Sequence, residues 1–122
     1  EFTHALVRSI VSHGVPTWLN EGLAVLFEPH GRDWADAQLR GSSRRLALEG
    51  LAGSFEGLSG TEARLAYAQS AAAVRALIDQ SGSAMLVALL QDLGRGESFE
   101  SAFGRRMLTS FFGFTATLDA SH

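Results

Sequence analysis

The chain has 122 residues, the size of one ordinary domain, and its 46% hydrophobic content is enough for a packed core. Charged residues make up only 19% and the net charge is −3, which excludes a disordered polyelectrolyte and gives no basis for nucleic acid as a partner. There is no cysteine, so any metal must be held by His, Asp or Glu, and no apolar run reaches the roughly 18 residues that cross a bilayer.

Phe2, Leu6 and Ile10 recur at helical spacing, with Val7 and Val11 on an adjacent stripe. The helix they predict ends near His13, where Gly14 suits the left-handed position after a helix. Pro16 or Thr17 opens a second helix that runs through Trp18, Leu19, Leu23 and Phe27 until Pro29 stops it. The short link makes the two an antiparallel hairpin over 1–28. Region 29–60 is glycine-rich and looser, with a short helix expected around 44–51. Thr61 is read as the N-cap of a helix reaching about Gln80, and Gly82 ends it. Ser83 caps the next helix, which carries Met85, Leu86, Leu89, Leu90 and Leu93. Another short helix is expected over 99–106, and the Phe-rich tail over 107–122 is left unassigned. No segment has the alternation of a strand, so the fold class is mostly α, in a single partial domain.

Two places along the chain carry residues suited to chemistry. Glu1 and His4 are three apart on a helix, a rotation of about 300° that leaves them on nearly one face. Glu21 follows Trp18 and precedes Ala24 and Val25 on one helical face, so its carboxylate is directed towards the apolar side. A buried carboxylate needs a cation or a metal. An ion pair with Arg8, or a first-turn Glu that faces water and is favoured by the helix dipole, satisfies the same pattern. His13 is read as a helix C-terminal residue, His30 as a solvated loop residue and His122 as a chain end, none of them a ligand.

Taken together, Glu1-Phe2-Thr3-His4 resembles the last four residues of the H-E-x-x-H zinc motif, and 15–24 (VPTWLNEGLA) is similar to the P-x-W-L-x-E-G-x-A signature of gluzincin metallopeptidases. Ala66-Tyr67-Ala68-Gln69-Ser70, leading into an Ala/Val/Leu helix, looks like the Tyr-bearing helix of bacterial peptidase MA-like domains. The resemblance implies the helical part of a zincin-like catalytic domain that hydrolyses peptide or protein substrates with Zn²⁺. It implies His4 and Glu21 as metal ligands, Glu1 as the base that activates water, and Tyr67 as hydrogen-bond donor to the oxyanion. Gly22 and Ala24 would let the second helix approach the first. The first zinc His of the motif would precede Glu1, so the chain begins inside its motif and is expected to be a truncated fragment, inactive by itself. Two alternatives stand beside this reading. One is a pseudopeptidase that keeps the helical scaffold for binding. The other is a helical domain with a chance pattern.

Overall fold

The computed structural model describes residues 14–120, with side chains through residue 118. Among the described residues every regular element is helical. The α-helices are α1 (Thr17–Leu26), α2 (Gly31–Arg40), α3 (Gly60–Ser81), α4 (Ser83–Gly94), α5 (Phe99–Met107) and α6 (Phe111–Ala120), with a 3-10 turn at Leu48–Leu51. The chain divides into two compact units. Residues 16–75 belong to the first and residues 76–122 to the second, so α3 contributes to both. The expected helix around Phe2–Ile10 lies outside the described residues.

In the first unit, α1 begins where the sequence places it. Pro16 occupies the N-cap with φ −59°, a value its ring fixes. The N–H of Thr17, which has no partner within the helix, is accepted by the carbonyl of Ala52 at 2.9 Å. Trp18, Leu19 and Leu23 are buried, each contributing about 1.5–3 kcal/mol by leaving water.

Helix α2 was not legible in the sequence, which leaves 31–40 in a loose glycine-rich stretch. Apart from Gly31 at its start it buries only Ala35, with Leu39 half-buried, so its apolar stripe is too thin to stand out. Its ends hold it instead. Asp33 and Arg40 sit at the helix ends whose dipole charge each complements. Arg45 donates from Nη2 to the Leu39 carbonyl at 3.2 Å and from Nη1 to that of Ser42 at 2.8 Å, satisfying the last turn. Gly31 starts the helix against the carbonyl of Val25, where a Cβ would overlap that oxygen. Ala35, Ala68 and Ala71 then meet in one small-residue cluster flanked by Val25, Leu26 and Leu39, bringing α1, α2 and α3 together.

Helix α3 starts two residues earlier than expected, and its cap is Ser59 in place of Thr61. Ser59 Oγ accepts from the Glu62 N–H at 3.2 Å, and Glu62 Oε1 accepts from the Ser59 N–H at 3.4 Å. This reciprocal pair needs an acidic residue three positions after the cap, which Ser59 has and Thr61 (followed by Arg64) lacks. At the far end Gly82, at φ +87°, takes the capping position of α4, and Ser83 is already helical.

In the second unit, Leu86, Leu89, Leu90 and Leu93 of α4 pack with Ala102, Phe103 and Met107 of α5. Ser98 caps α5, accepting from the Ser101 N–H at 3.3 Å. The Phe-rich tail forms α6. Phe111 meets Phe99 and Phe103 edge-on, with centroids 5.3 and 5.5 Å away, and Phe114 closes on Phe103 at 5.6 Å. The tail therefore builds core, which local periodicity did not reveal because only Phe114 of its aromatics is fully buried.

Candidate active site

Glu21 stands on α1 directly before Gly22, and Gly22 is where α1 meets α3. A Cβ on Gly22 would lie 2.6 Å from Val74 Cγ2 and closer still to the carbonyl oxygen of Ser70. Only the absence of a side chain lets the two backbones approach this far. The small residue thus draws α1 onto the helix that carries Tyr67; the helix that would precede α1 lies outside the described residues. Glu21 is half-buried, between the water-facing and the apolar readings of its sequence position. Its neighbour Asn20 has a buried Oδ1 that accepts no hydrogen bond among the described residues.

Tyr67 lies one turn before Ala71 on α3 and is also half-buried. Its ring meets Phe55 edge-to-face, with centroids 5.2 Å apart and planes at 76°. Burial pushes the phenol pKa above its ordinary value, and the negative charge of Glu21 pushes it further. Both effects oppose ionisation, so Tyr67 keeps its proton and remains a hydrogen-bond donor at neutral pH. The charge of Glu21 thus acts on a phenol 46 positions away in the sequence.

Gln69 has a different task. Its carboxamide accepts from the Leu46 N–H and donates to the Leu46 carbonyl, both at 2.8 Å. A polar residue one turn beyond buried Leu65 needs such partners, and the amide binds the extended segment as a neighbouring strand would. Ser70 Oγ donates to the Ala66 carbonyl at 2.7 Å and is fully buried. These two residues of the Tyr-Ala-Gln-Ser segment are structural.

Of the four site residues expected from the sequence, Glu21 and Tyr67 stand on helices that pack together at Gly22, while Glu1 and His4 lie outside the described residues, as does Arg8. Among the described residues no group of three or more His, Cys, Asp or Glu is placed to hold a metal ion. Glu21 is the described member of the expected donor set. A carboxylate partly withdrawn from water, joined by imidazole, is a donor set that suits Zn²⁺. His30 is exposed, at φ 62° ahead of α2, and takes no part. A surface cavity of about 300 Å³ is lined by Arg44, Thr61, Glu62, Arg64 and Leu65 among others. It contains neither Glu21 nor Tyr67, and an Arg44–Glu62 ion pair of 3.0 Å spans its wall, so it is separate from this chemistry.

One charged centre went unread in the sequence. Asp92 at the end of α4 is fully buried and receives three arginines. Arg106 donates to it from Nε at 2.6 Å and from Nη2 at 3.0 Å, Arg105 donates at 2.7 Å, and Arg95 completes the set. Hydrogen bonds from Arg106, then from Arg105, hold its carboxyl well below the usual carboxylate range despite burial. Glu97 pairs with Arg105 at 2.6 Å. An acidic residue between Leu90 and Leu93, followed by a basic pair on the next helix, was the available signal. The arginines occupy Asp92 fully, so the cluster locks α4 to α5.

The sequence model of the Peptidase MA superfamily matches residues 1–119, which takes in the Glu21 and Tyr67 helices and the Phe-rich tail. Among curated proteins and among solved structures, nothing matches the chain.

Proposed function

The chain belongs to the Peptidase MA superfamily, a peptidase-type group, and from that premise we propose that it carries out zinc-dependent hydrolysis of peptide bonds in the manner of a gluzincin. The observation that carries the reading is the close packing, at Gly22, of the helix that bears Glu21 on the helix that bears Tyr67. A half-buried carboxylate and a phenol kept protonated stand on these two helices, which bear the family signatures.

In this reading Glu21 and His4 would hold the ion, and the motif calls for a histidine at the position before Glu1 as the further ligand. Bound Zn²⁺ supplies Lewis acidity at the scissile carbonyl and lowers the pKa of water towards about 7. Glu1, one position after that histidine, takes the proton of the attacking water and passes it to the leaving amine. Tyr67 donates its hydroxyl proton in a hydrogen bond to the oxyanion, a role that demands the neutral phenol its surroundings favour. The substrate is a peptide or protein segment.

The codon preceding Glu1 tests the ligand set. Histidine there completes the motif, and any other residue removes a ligand and with it the catalytic role of Glu1. A second test separates the roles of the two described residues. Glu21→Gln should lose zinc and turnover together, whereas Tyr67→Phe should keep zinc and lose turnover. Zinc loss in Tyr67→Phe would make that residue structural and would sink the oxyanion assignment.

A further inference from the structure

The loop between the 3-10 turn and α3 serves both helices of the candidate site. At one end, the Ala52 carbonyl accepts the first free N–H of α1, that of Thr17, at 2.9 Å. Three residues later Phe55 lays its ring against Tyr67. Phe55 is the one buried residue of 52–58; its neighbours Gly53, Ser54, Glu56 and Gly57 are exposed. The loop closes locally around it, with the Leu58 N–H donating to the Phe55 carbonyl at 3.1 Å and the Glu56 N–H donating to Ser54 Oγ at 3.1 Å. A large aromatic side chain in a short polar loop is therefore anchored on the phenol ring, and the same loop holds the start of the helix that carries Glu21.

We infer that Phe55 is a positioning residue for Tyr67: its edge-to-face ring fixes the tilt of the tyrosine and covers part of the phenol, and so sets the direction in which the hydroxyl is presented. This rests on the reading of Tyr67 as oxyanion donor. Two consequences distinguish it from simple filling of space. An edge-to-face pair constrains ring direction, which an aliphatic side chain of similar volume does not. A misdirected hydroxyl affects the transition state and not substrate binding, so the loss falls on kcat and leaves KM unchanged.

Tyr67 is the only tyrosine of these 122 residues, and the difference between the titrations of the parent and Tyr67→Phe isolates its phenol. In Phe55→Ala the titration midpoint should fall back towards the ordinary value of 10.0. In the full-length protein, kcat on a peptide substrate should drop by up to about a hundredfold, the loss that a misplacement of about 1 Å brings, with KM unchanged. Phe55→Leu should recover the melting temperature but not kcat, and Phe55→Trp should recover both. A parental phenol midpoint in Phe55→Ala would overturn the inference, as would full recovery of kcat by leucine. Parental kcat in Tyr67→Phe would instead sink the oxyanion reading, and that outcome stays distinguishable because the phenol titration involves no turnover.

Discussion

Replacing Gly22 by alanine tests the close approach of α1 to α3. In an exposed helix interior this change stabilises, because alanine is favoured over glycine by about 1 kcal/mol. Here the added methyl would lie 2.6 Å from Val74 Cγ2 and nearer to the Ser70 carbonyl, against an ordinary contact that begins at 3.4 Å. Val74 can rotate, but Ser70 presents backbone within α3, so the helices must part by about 1 Å at that point. Overpacking of this kind costs about 1–3 kcal/mol. Set against the propensity gain, the net expectation is a destabilisation of up to about 2 kcal/mol. Gly104→Ala in α5 is the matched control, since a Cβ there meets nothing within 4 Å, and it should stabilise by up to about 1 kcal/mol. Urea unfolding followed by far-ultraviolet circular dichroism compares the pair. If Gly22→Ala proves as stabilising as Gly104→Ala, α1 and α3 are not in contact at Gly22 and the packing behind the proposed function fails with it.

Other perturbations report on the charged groups. The chain has no lysine and no cysteine, so Tyr67 is the side chain that titrates in the alkaline range below arginine. Its folded pKa is raised, so the unfolded chain loses the phenol proton first. Stability should be level below about pH 10, fall as pH rises through the folded value, and lose this slope in Tyr67→Phe; equal alkaline slopes in parent and variant would refute the burial. Asp92 works in the opposite sense. Its folded pKa is depressed, so its contribution is present above the ordinary 3.8 and is lost as pH falls through the folded value. Asp92→Asn should lower the melting temperature at neutral pH and flatten the acid limb, and a variant as stable as the parent would remove the cluster's locking role. Gln69→Leu should free the Leu46 segment, seen as faster hydrogen exchange at the Leu46 amide, while parental protection there would contradict the clamp.

Much of the fold was readable because its signals are local. The apolar stripe of α1, the run of leucines in α4 and the breaks at Pro16, Pro29 and Gly82 mark boundaries that the structure keeps within a residue or two. What escaped depends on partners distant in the sequence. Helix α2 is held by Arg45 from beyond its end and by alanines of α3, neither of which leaves a stripe in 31–40. The Phe-rich tail reads as patternless because its rings answer to one another and to Phe99 and Phe103. Asp92 looks like an ordinary surface acid until Arg105 and Arg106 fold onto it. For the site, the Trp-Leu-Asn-Glu-Gly segment pointed to Glu21, and the lone tyrosine stood out by its helix. The part taken by Phe55 was invisible, since a single Phe among glycines and serines carries no period.

Metal content and peptide hydrolysis, measured side by side on the protein with its encoded residues ahead of Glu1 and on its Glu1→Gln variant, bear most directly on the central claim. A zinc peptidase of the proposed kind binds stoichiometric zinc in both, hydrolyses peptide as the parent, and loses turnover in Glu1→Gln while keeping the metal. Hydrolysis that persists undiminished in the variant, or a parent that neither binds zinc nor cleaves peptide, would contradict it.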